Sequence, residues 1–394
     1  MTPRPPAPFF TLITGAEVYA PEPLGRNDLL LAGETIARIA PRIELPRDFA
    51  ARRLSAAGKY AVPGFVDLHV HLLGGGGEAG PASRAPEITL SRITRAGVTT
   101  VVGLLGTDDV TRRPESLLAK AMQLAAEGIS AFVYSGSYQL PLATVTGSLR
   151  KDLALLPAVI GVGEVAISDH RSSQPTFEEL CRIAAEARVG GMLGGKAGLV
   201  HLHVGAGPRG LEPLRRLVRE TEIPIGQFLP THVNRTPALL EEAIAFAREG
   251  GFIDLTARGR NLNFRPTVAE AVQQALAAGV PLERISLSSD SNGSMPVFDA
   301  RGRVVRLAVG EIESLTEDWR RLVAEGLPLA QALPLVTANP ARRAGLFDRK
   351  GSLAPGKDAD LLLLDRKLAI DTVFARGRCM VERGKPRVKG TFEA

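Results

Sequence analysis

Six histidines occur in the 394 residues, at 69, 71, 170, 201, 203 and 232, and five of them fall in three short apolar runs. The first run is Val66-Asp-Leu-His-Val-His71. Side chains two apart on an extended strand point the same way. His69 and His71 therefore present two imidazoles to one spot. Val200-His-Leu-His-Val-Gly205 repeats the spacing with His201 and His203, and Leu229-Pro-Thr-His-Val-Asn234 adds His232. Converging imidazoles are what zinc or a similar first-row divalent ion requires. One His-x-His pair reads equally well as two hydrogen-bonded polar side chains. The concentration of so scarce a residue on three runs favours a metal site.

Two carboxylates fall in comparable places. Glu164 ends Val159-Ile-Gly-Val-Gly-Glu164, and Asp290 closes Ser286-Leu-Ser-Ser-Asp290. A glutamate in an apolar run is costly unless paired, by a metal or by a structural cation. Asp290 reads also as a helix cap or turn aspartate. Four histidines and two carboxylates exceed what one tetrahedral ion takes up. Two ions sharing a carboxylate bridge fit the count, and such a pair lowers the pKa of a bridging water and supplies hydroxide near neutral pH.

These residues need elements to position them. Strand-like runs are predicted at 65–72, 99–105, 130–135, 159–167, 199–204, 227–233, 252–256 and 284–289. Helical periodicity lies between them at 115–127, 176–188, 237–249 and 267–278, with glycine stops at Gly128, Gly190, Gly250 and Gly279. Eight strands alternating with helices predict a parallel sheet closed as a (β/α)8 barrel, whose chemistry sits at the C-terminal strand ends. An open doubly wound sheet is the alternative. The two ends of the chain differ from this middle. Short β runs at 9–14, 35–40, 360–365 and 372–376 are separated by turn signals such as Gly15, Gly25 and Gly33. The α/β class is expected, with a TIM-like barrel over 61–345. A small β-sandwich domain is assembled from 1–60 and 346–394.

Composition narrows the class. The chain is 45% hydrophobic and 23% charged, which excludes dominant disorder. Cys181 and Cys379 are the two cysteines, too few for a disulfide framework or a cysteine zinc module. The net charge is +6, yet the basic residues are scattered among acidic ones rather than gathered in a patch, which argues against nucleic acid. Met1-Thr-Pro-Arg-Pro-Pro-Ala-Pro8 lacks the apolar core of a secretory leader, and no run approaches a membrane span. A cytoplasmic protein without a membrane partner is expected.

Pro63-Gly-Phe-Val-Asp-Leu-His-Val-His71, Ser288-Ser-Asp290, Ala338-Asn-Pro-Ala341 and Gly351-Ser-Leu-Ala-Pro-Gly-Lys-Asp-Ala-Asp-Leu361 resemble the amidohydrolase superfamily over nearly the whole chain. Several loops further resemble the isoaspartyl dipeptidase (β-aspartyl peptidase) family. They are His71-Leu-Leu-Gly-Gly-Gly-Gly-Glu-Ala-Gly-Pro81, Gly136-Ser-Tyr138, Ile167-Ser-Asp-His-Arg171, Thr231-His-Val-Asn-Arg235 and Ser288-Ser-Asp-Ser-Asn-Gly-Ser294. The resemblance implies hydrolysis of β-aspartyl dipeptides with a divalent metal, expected as two zinc ions, in a homo-oligomer.

Carried residue by residue, it makes His69, His71, His203, His232 and Asp290 metal ligands. Asp290 is also general base and proton shuttle, and Tyr138 polarises the scissile carbonyl. Glu78 meets the substrate ammonium, and Arg171 and Arg235 hold carboxylate. Gly76, Thr107 and Ser294 fix the aspartyl end. The family's better-known members carry a carboxylated lysine where this chain has Glu164, so Glu164 is expected to bridge the ions directly. His201 is expected a layer deeper than His203, and His170 outside the ligand set. The alternatives are an amidohydrolase acting on a cyclic amide or N-acyl amino acid, as dihydroorotases, hydantoinases and deacylases do, and a catalytically silent metal scaffold.

Overall fold

The computed structural model describes residues 9–259, 266–298 and 304–393, with backbone only at 296–298 and 304; the stretch Met1–Pro8 lies outside the described residues. Eight strands alternate with helices through the middle of the chain, and an antiparallel pair, Ser294–Phe298 with Val304–Val309, comes between the eighth strand and its helix. The eight strands are Phe65–Val70, Val98–Gly103, Ser130–Ser135, Val159–Ile167, Leu199–Val204, Phe228–Thr231, Ile253–Thr256 and Ile285–Ser288. Every one of their residues is buried except Ser130 and Phe132. That burial is the signature of a parallel sheet covered on both faces, and it explains the near-continuous apolar runs.

The expected closed barrel is only partly realised. The first six strands form one parallel ladder, while the seventh and eighth pair with each other alone. Side chains span the seam between the sixth and seventh. Thr231 Oγ1 donates to Asp254 Oδ2 at 2.7 Å, and Asn234 brackets the backbone of Thr256 at 2.9 and 3.1 Å. The other seam has a single bridge between Val70 and Ser291, beside which Ser289 N donates to Asp67 Oδ1 at 3.2 Å. The sixth strand has four residues and includes Pro230, which has no N–H to donate. The result is a curled parallel sheet, not a continuous hydrogen-bonded ring. Its inner face still converges: Val66, Leu68, Val102, Leu104, Tyr134, Ile160, Leu199 and Leu229 form one cluster, completed by Ala341 and Ala344.

Helix ends follow local chemistry. Thr176 with Glu179 and Thr267 with Glu270 form capping boxes, and Pro114 and Pro237 occupy first helical turns. Gly190 does not stop its helix, which runs over Phe177–Gly194 and ends at Gly195. Gly190 and Gly194 instead form a contact face for the helix Leu149–Leu155. A Cβ on Gly190 would lie 2.9 Å from Leu153 Cβ, and one on Gly194 2.3 Å from Leu153 O.

The terminal segments form one mixed nine-stranded sheet rather than two facing sheets. Its strand Phe10–Tyr19 runs through Gly15, which was expected to be a turn. Gly15 has φ +70° at a bulge between Ile13 and Ala16, and its N–H donates to Asp28 Oδ1 at 2.8 Å. The bulge bends the sheet around its own core of Ile13, Leu29, Leu31, Ile36, Leu361 and Phe374. The other face of Leu361–Leu364 packs against the main core through Leu362 and Leu364.

A buried ion cluster ties the terminal sheet to the third inner strand. Lys350 Nζ lies 2.5 Å from Asp358 Oδ2, 2.6 Å from Asp360 Oδ2 and 2.5 Å from Ser130 Oγ, with all three charged residues buried. Lys350→Met leaves two buried carboxylates without this cation. The expected loss is on the order of 3–5 kcal/mol in denaturant unfolding, whereas a change below about 1 kcal/mol would show the cluster to be dispensable.

Candidate metal centre and substrate cavity

Glu164 lies within its strand, not at its end, and is fully buried. Its two oxygens face different pairs of imidazoles. Oε1 is 3.3 Å from His69 Nε2 and 3.5 Å from His71 Nε2, while Oε2 is 3.1 Å from His203 Nδ1 and 3.5 Å from His232 Nε2. Asp290 joins the first pair, with Oδ1 3.4 Å from both His69 Nε2 and His71 Nε2. Asp290 sits two residues past its strand in the left-handed region, φ +53°. His232 also takes positive φ, +62°, where its Nδ1 meets Thr256 Oγ1 at 2.7 Å and its Nε2 turns to Glu164.

The donor set fits a cation on three grounds. His69, Glu164 and His232 form one tight group of potential ligands, and His69, His71 and Asp290 another. His69 Nε2 and Glu164 Oε1 are buried, face each other and lack hydrogen-bond partners among the described residues. Burial opposes a charged ring at His69, yet the Glu164 and Asp290 carboxylates lift its pKa to about 9, so the pocket draws positive charge. Burial also disfavours the Glu164 anion, but His69 and the hydrogen bonds of His203 and His232 hold its pKa well below the usual range. The nitrogens and oxygens suit zinc or a neighbouring first-row ion.

A cavity of about 900 Å³ opens above this cluster. Its wall includes all the residues expected to hold substrate: Gly76, Glu78, Thr107, Tyr138, Arg171, Arg235 and Ser294. Gly76 packs beside Ser294, where a Cβ on Gly76 would lie 3.5 Å from Ser294 Cβ. Glu78 Oε1 accepts from Thr107 Oγ1 at 3.2 Å and from Arg171 at 3.3 Å. Tyr138 OH lies 2.6 Å from His203 Nδ1. Burial and the Glu164 charge raise the Tyr138 pKa well above the usual phenol value, so the hydroxyl stays a donor. Arg235 Nε is buried and lacks a hydrogen-bond partner among the described residues.

Other placements were not foreseen. Asp169 clasps Arg171 with both oxygens at 3.0 and 2.8 Å, and its Oδ2 also reaches His203 Nε2 at 3.0 Å. A chain of polar contacts thus runs from the histidine cluster to Glu78. Arg112 is buried and donates to the carbonyls of Leu73, Gly75 and Ala85, holding the glycine loop. Arg258 lines the cavity 3.6 Å from Asp290 Oδ2. None of the three carries a periodic or motif signal, although Asp169 sits within the quoted Ile167–Arg171 stretch. His201 is buried beneath His69, and His170 is exposed at the cavity wall.

The sequence profile of the amidohydrolase family matches residues 60–380. The chain belongs to the amidohydrolase family. Its relatives differ in closeness. The crystal structure of β-aspartyl dipeptidase from Fervidobacterium islandicum AW-1 in complex with β-Asp-Leu dipeptide is 43% identical, with a TM-score of 0.91 over 98% of this chain and 100% of that one. A second structure of the Fervidobacterium islandicum AW-1 dipeptidase gives 41% and 0.89, over 98% of this chain and 100% of that one. Imidazolonepropionase from Pseudomonas aeruginosa strain UCBPP-PA14 is 27% identical over 90% of this chain and 91% of its own length. This amidohydrolase is therefore a hydrolytic enzyme, and no helix among its described residues is long and apolar enough to cross a membrane.

Proposed function

We propose that this amidohydrolase hydrolyses the β-aspartyl amide bond of dipeptides at a two-ion centre bridged by Glu164. One observation carries the reading: a single buried carboxylate sets each oxygen against its own pair of imidazoles, at the floor of a cavity walled by Glu78, Arg171 and Arg235. The 43% identity to a dipeptidase crystallised with β-Asp-Leu supports the substrate class. His69, His71, Glu164 and Asp290 would hold one ion, and His203, His232 and Glu164 the other. Two divalent ions there would supply Lewis acidity and a nucleophile drawn from water at neutral pH.

The chain's own groups do the rest. Asp290 accepts the proton of the attacking water and passes it to the leaving amine. Tyr138 donates its hydroxyl to the carbonyl oxygen as negative charge develops there. Glu78 accepts from the substrate ammonium. Arg171 and Arg235 fork onto carboxylate, and Gly76, Thr107 and Ser294 hold the aspartyl end. In this reading 61–345 is the hydrolase unit and 1–60 with 346–394 the accessory β domain. Zinc is the ion, and the enzyme works as a cytoplasmic homo-oligomer. Metal analysis and sedimentation of the purified protein check ion and assembly.

Assaying β-Asp-Leu beside α-Asp-Leu, dihydroorotate and N-acetyl amino acids tests the substrate. Turnover confined to β-Asp-Leu is expected, and turnover of a cyclic amide or N-acyl substrate alone would replace the reading. Glu78→Gln removes one charge-assisted contact of about 1.5–3 kcal/mol, so KM for β-Asp-Leu rises roughly 10- to 150-fold with kcat much less affected. An unchanged KM would remove Glu78 from ammonium binding.

A further inference from the structure

We propose that His201 is a positioning residue that fixes the tautomer of His69 and so leaves His69 Nε2 ready for a cation; this rests on the reading of His69 as a metal ligand. His201 Nε2 lies 2.9 Å from His69 Nδ1, and both rings are fully buried. One proton lies between these two nitrogens. If it belongs to His201, neutral His69 carries its own proton on Nε2, the atom that faces Glu164 and Asp290. A protonated nitrogen has no lone pair for a metal. If the proton belongs to His69 Nδ1, the Nε2 lone pair points into the cluster and His201 is the acceptor. Ligation therefore requires His201 to accept, which puts the proton of His201 on its Nδ1.

The surroundings hold His201 to that task. Its ring stacks on Tyr134 with centroids 5.0 Å apart and planes 24° apart. Gly163, just before Glu164, lets the two strands close at this level. A Cβ there would lie 2.7 Å from His201 O and 2.8 Å from His201 Cβ. His201 Nδ1 makes no hydrogen bond of normal geometry among the described residues, but the backbone carbonyl of Leu229 on the paired strand interacts with the ring. A cation on His69 Nε2 would favour that same acceptor state of His201. Ligating histidines usually donate their second N–H to a carboxylate, carbonyl or water, and their outer partners control affinity. Here a second imidazole takes that place, in a position bulk water does not reach.

The test compares wild type, His201→Leu and His201→Gln, each stripped with a chelator and titrated with Zn²⁺ against a chromophoric competitor. Leucine removes the acceptor, while the glutamine carboxamide oxygen reaches the same point. The expected result is 10- to 100-fold weaker binding of one ion in His201→Leu, with His201→Gln within about threefold of wild type. Nitrogen-15 NMR of the zinc-loaded wild type should show His69 protonated at Nδ1. Wild-type affinity in His201→Leu overturns the proposal. So does a His201→Gln protein that melts like wild type without metal yet binds as weakly as His201→Leu. A wild type that binds no zinc overturns the metal-centre reading itself, and this proposal with it.

Discussion

Asp290→Asn should keep its ions and lose turnover of β-Asp-Leu by roughly 10²- to 10⁴-fold, the usual worth of a positioned acid–base group. The substitution is nearly isosteric. Asparagine tolerates the left-handed backbone that Asp290 adopts at φ +53°. Its carbonyl oxygen can still face His69 and His71, where Asp290 Oδ1 lies 3.4 Å from each Nε2. What it lacks is a carboxylate able to take a proton and release it to the leaving amine. Gly293 makes room for the side chain at 290, since a Cβ there would lie 2.7 Å from Asp290 Oδ1. Arg258, 3.6 Å from Oδ2, would also lose a nearby charge. Metal content and kcat measured on one preparation decide the matter. Near-wild-type kcat at full occupancy would remove Asp290 from proton transfer.

Glu164→Gln should break the pair of ions apart. A carboxylate offers equivalent oxygens to the His69–His71 pair and to the His203–His232 pair, but a carboxamide has one oxygen and an NH2 group that cannot ligate. One ion then loses its anionic donor in a fully buried place. Its affinity should fall by at least on the order of 100-fold, the upper range for losing even an outer-sphere partner. Hydrolysis should collapse with it. Bound ions also stabilise the fold by mass action, so chelation should lower the Tm of wild type more than that of Glu164→Gln. Two tightly held ions per chain in the variant would dismiss the bridge.

Much of this was legible along the chain because local geometry carries it. Period two puts His69 with His71 on one side of a strand, and the eight strand positions are set by apolar runs that a doubly covered sheet requires. Capping pairs such as Thr176 with Glu179 mark helix starts by chemistry within four residues. Glycine was the weaker guide. Gly15 and Gly190 looked like stops, yet one sits in a bulged strand and the other in a helix contact, and only the neighbouring chain distinguishes these uses.

The sequence by itself thus determined the candidate ligand types, the strands that bear them and the loops around the cavity. Tertiary structure alone decided how they meet. The sheet's two seams are spanned by side chains and a single backbone bridge rather than by strand ladders. Arg112, Asp169 and Arg258 entered the site through partners remote along the chain, which no local pattern records: Arg112 holds carbonyls 27 to 39 residues back, and Asp169 meets His203. The division has one physical reason. Hydrogen-bond periodicity and capping act over a few residues, whereas charge pairing and strand closure depend on distances in space that folding of the whole chain sets.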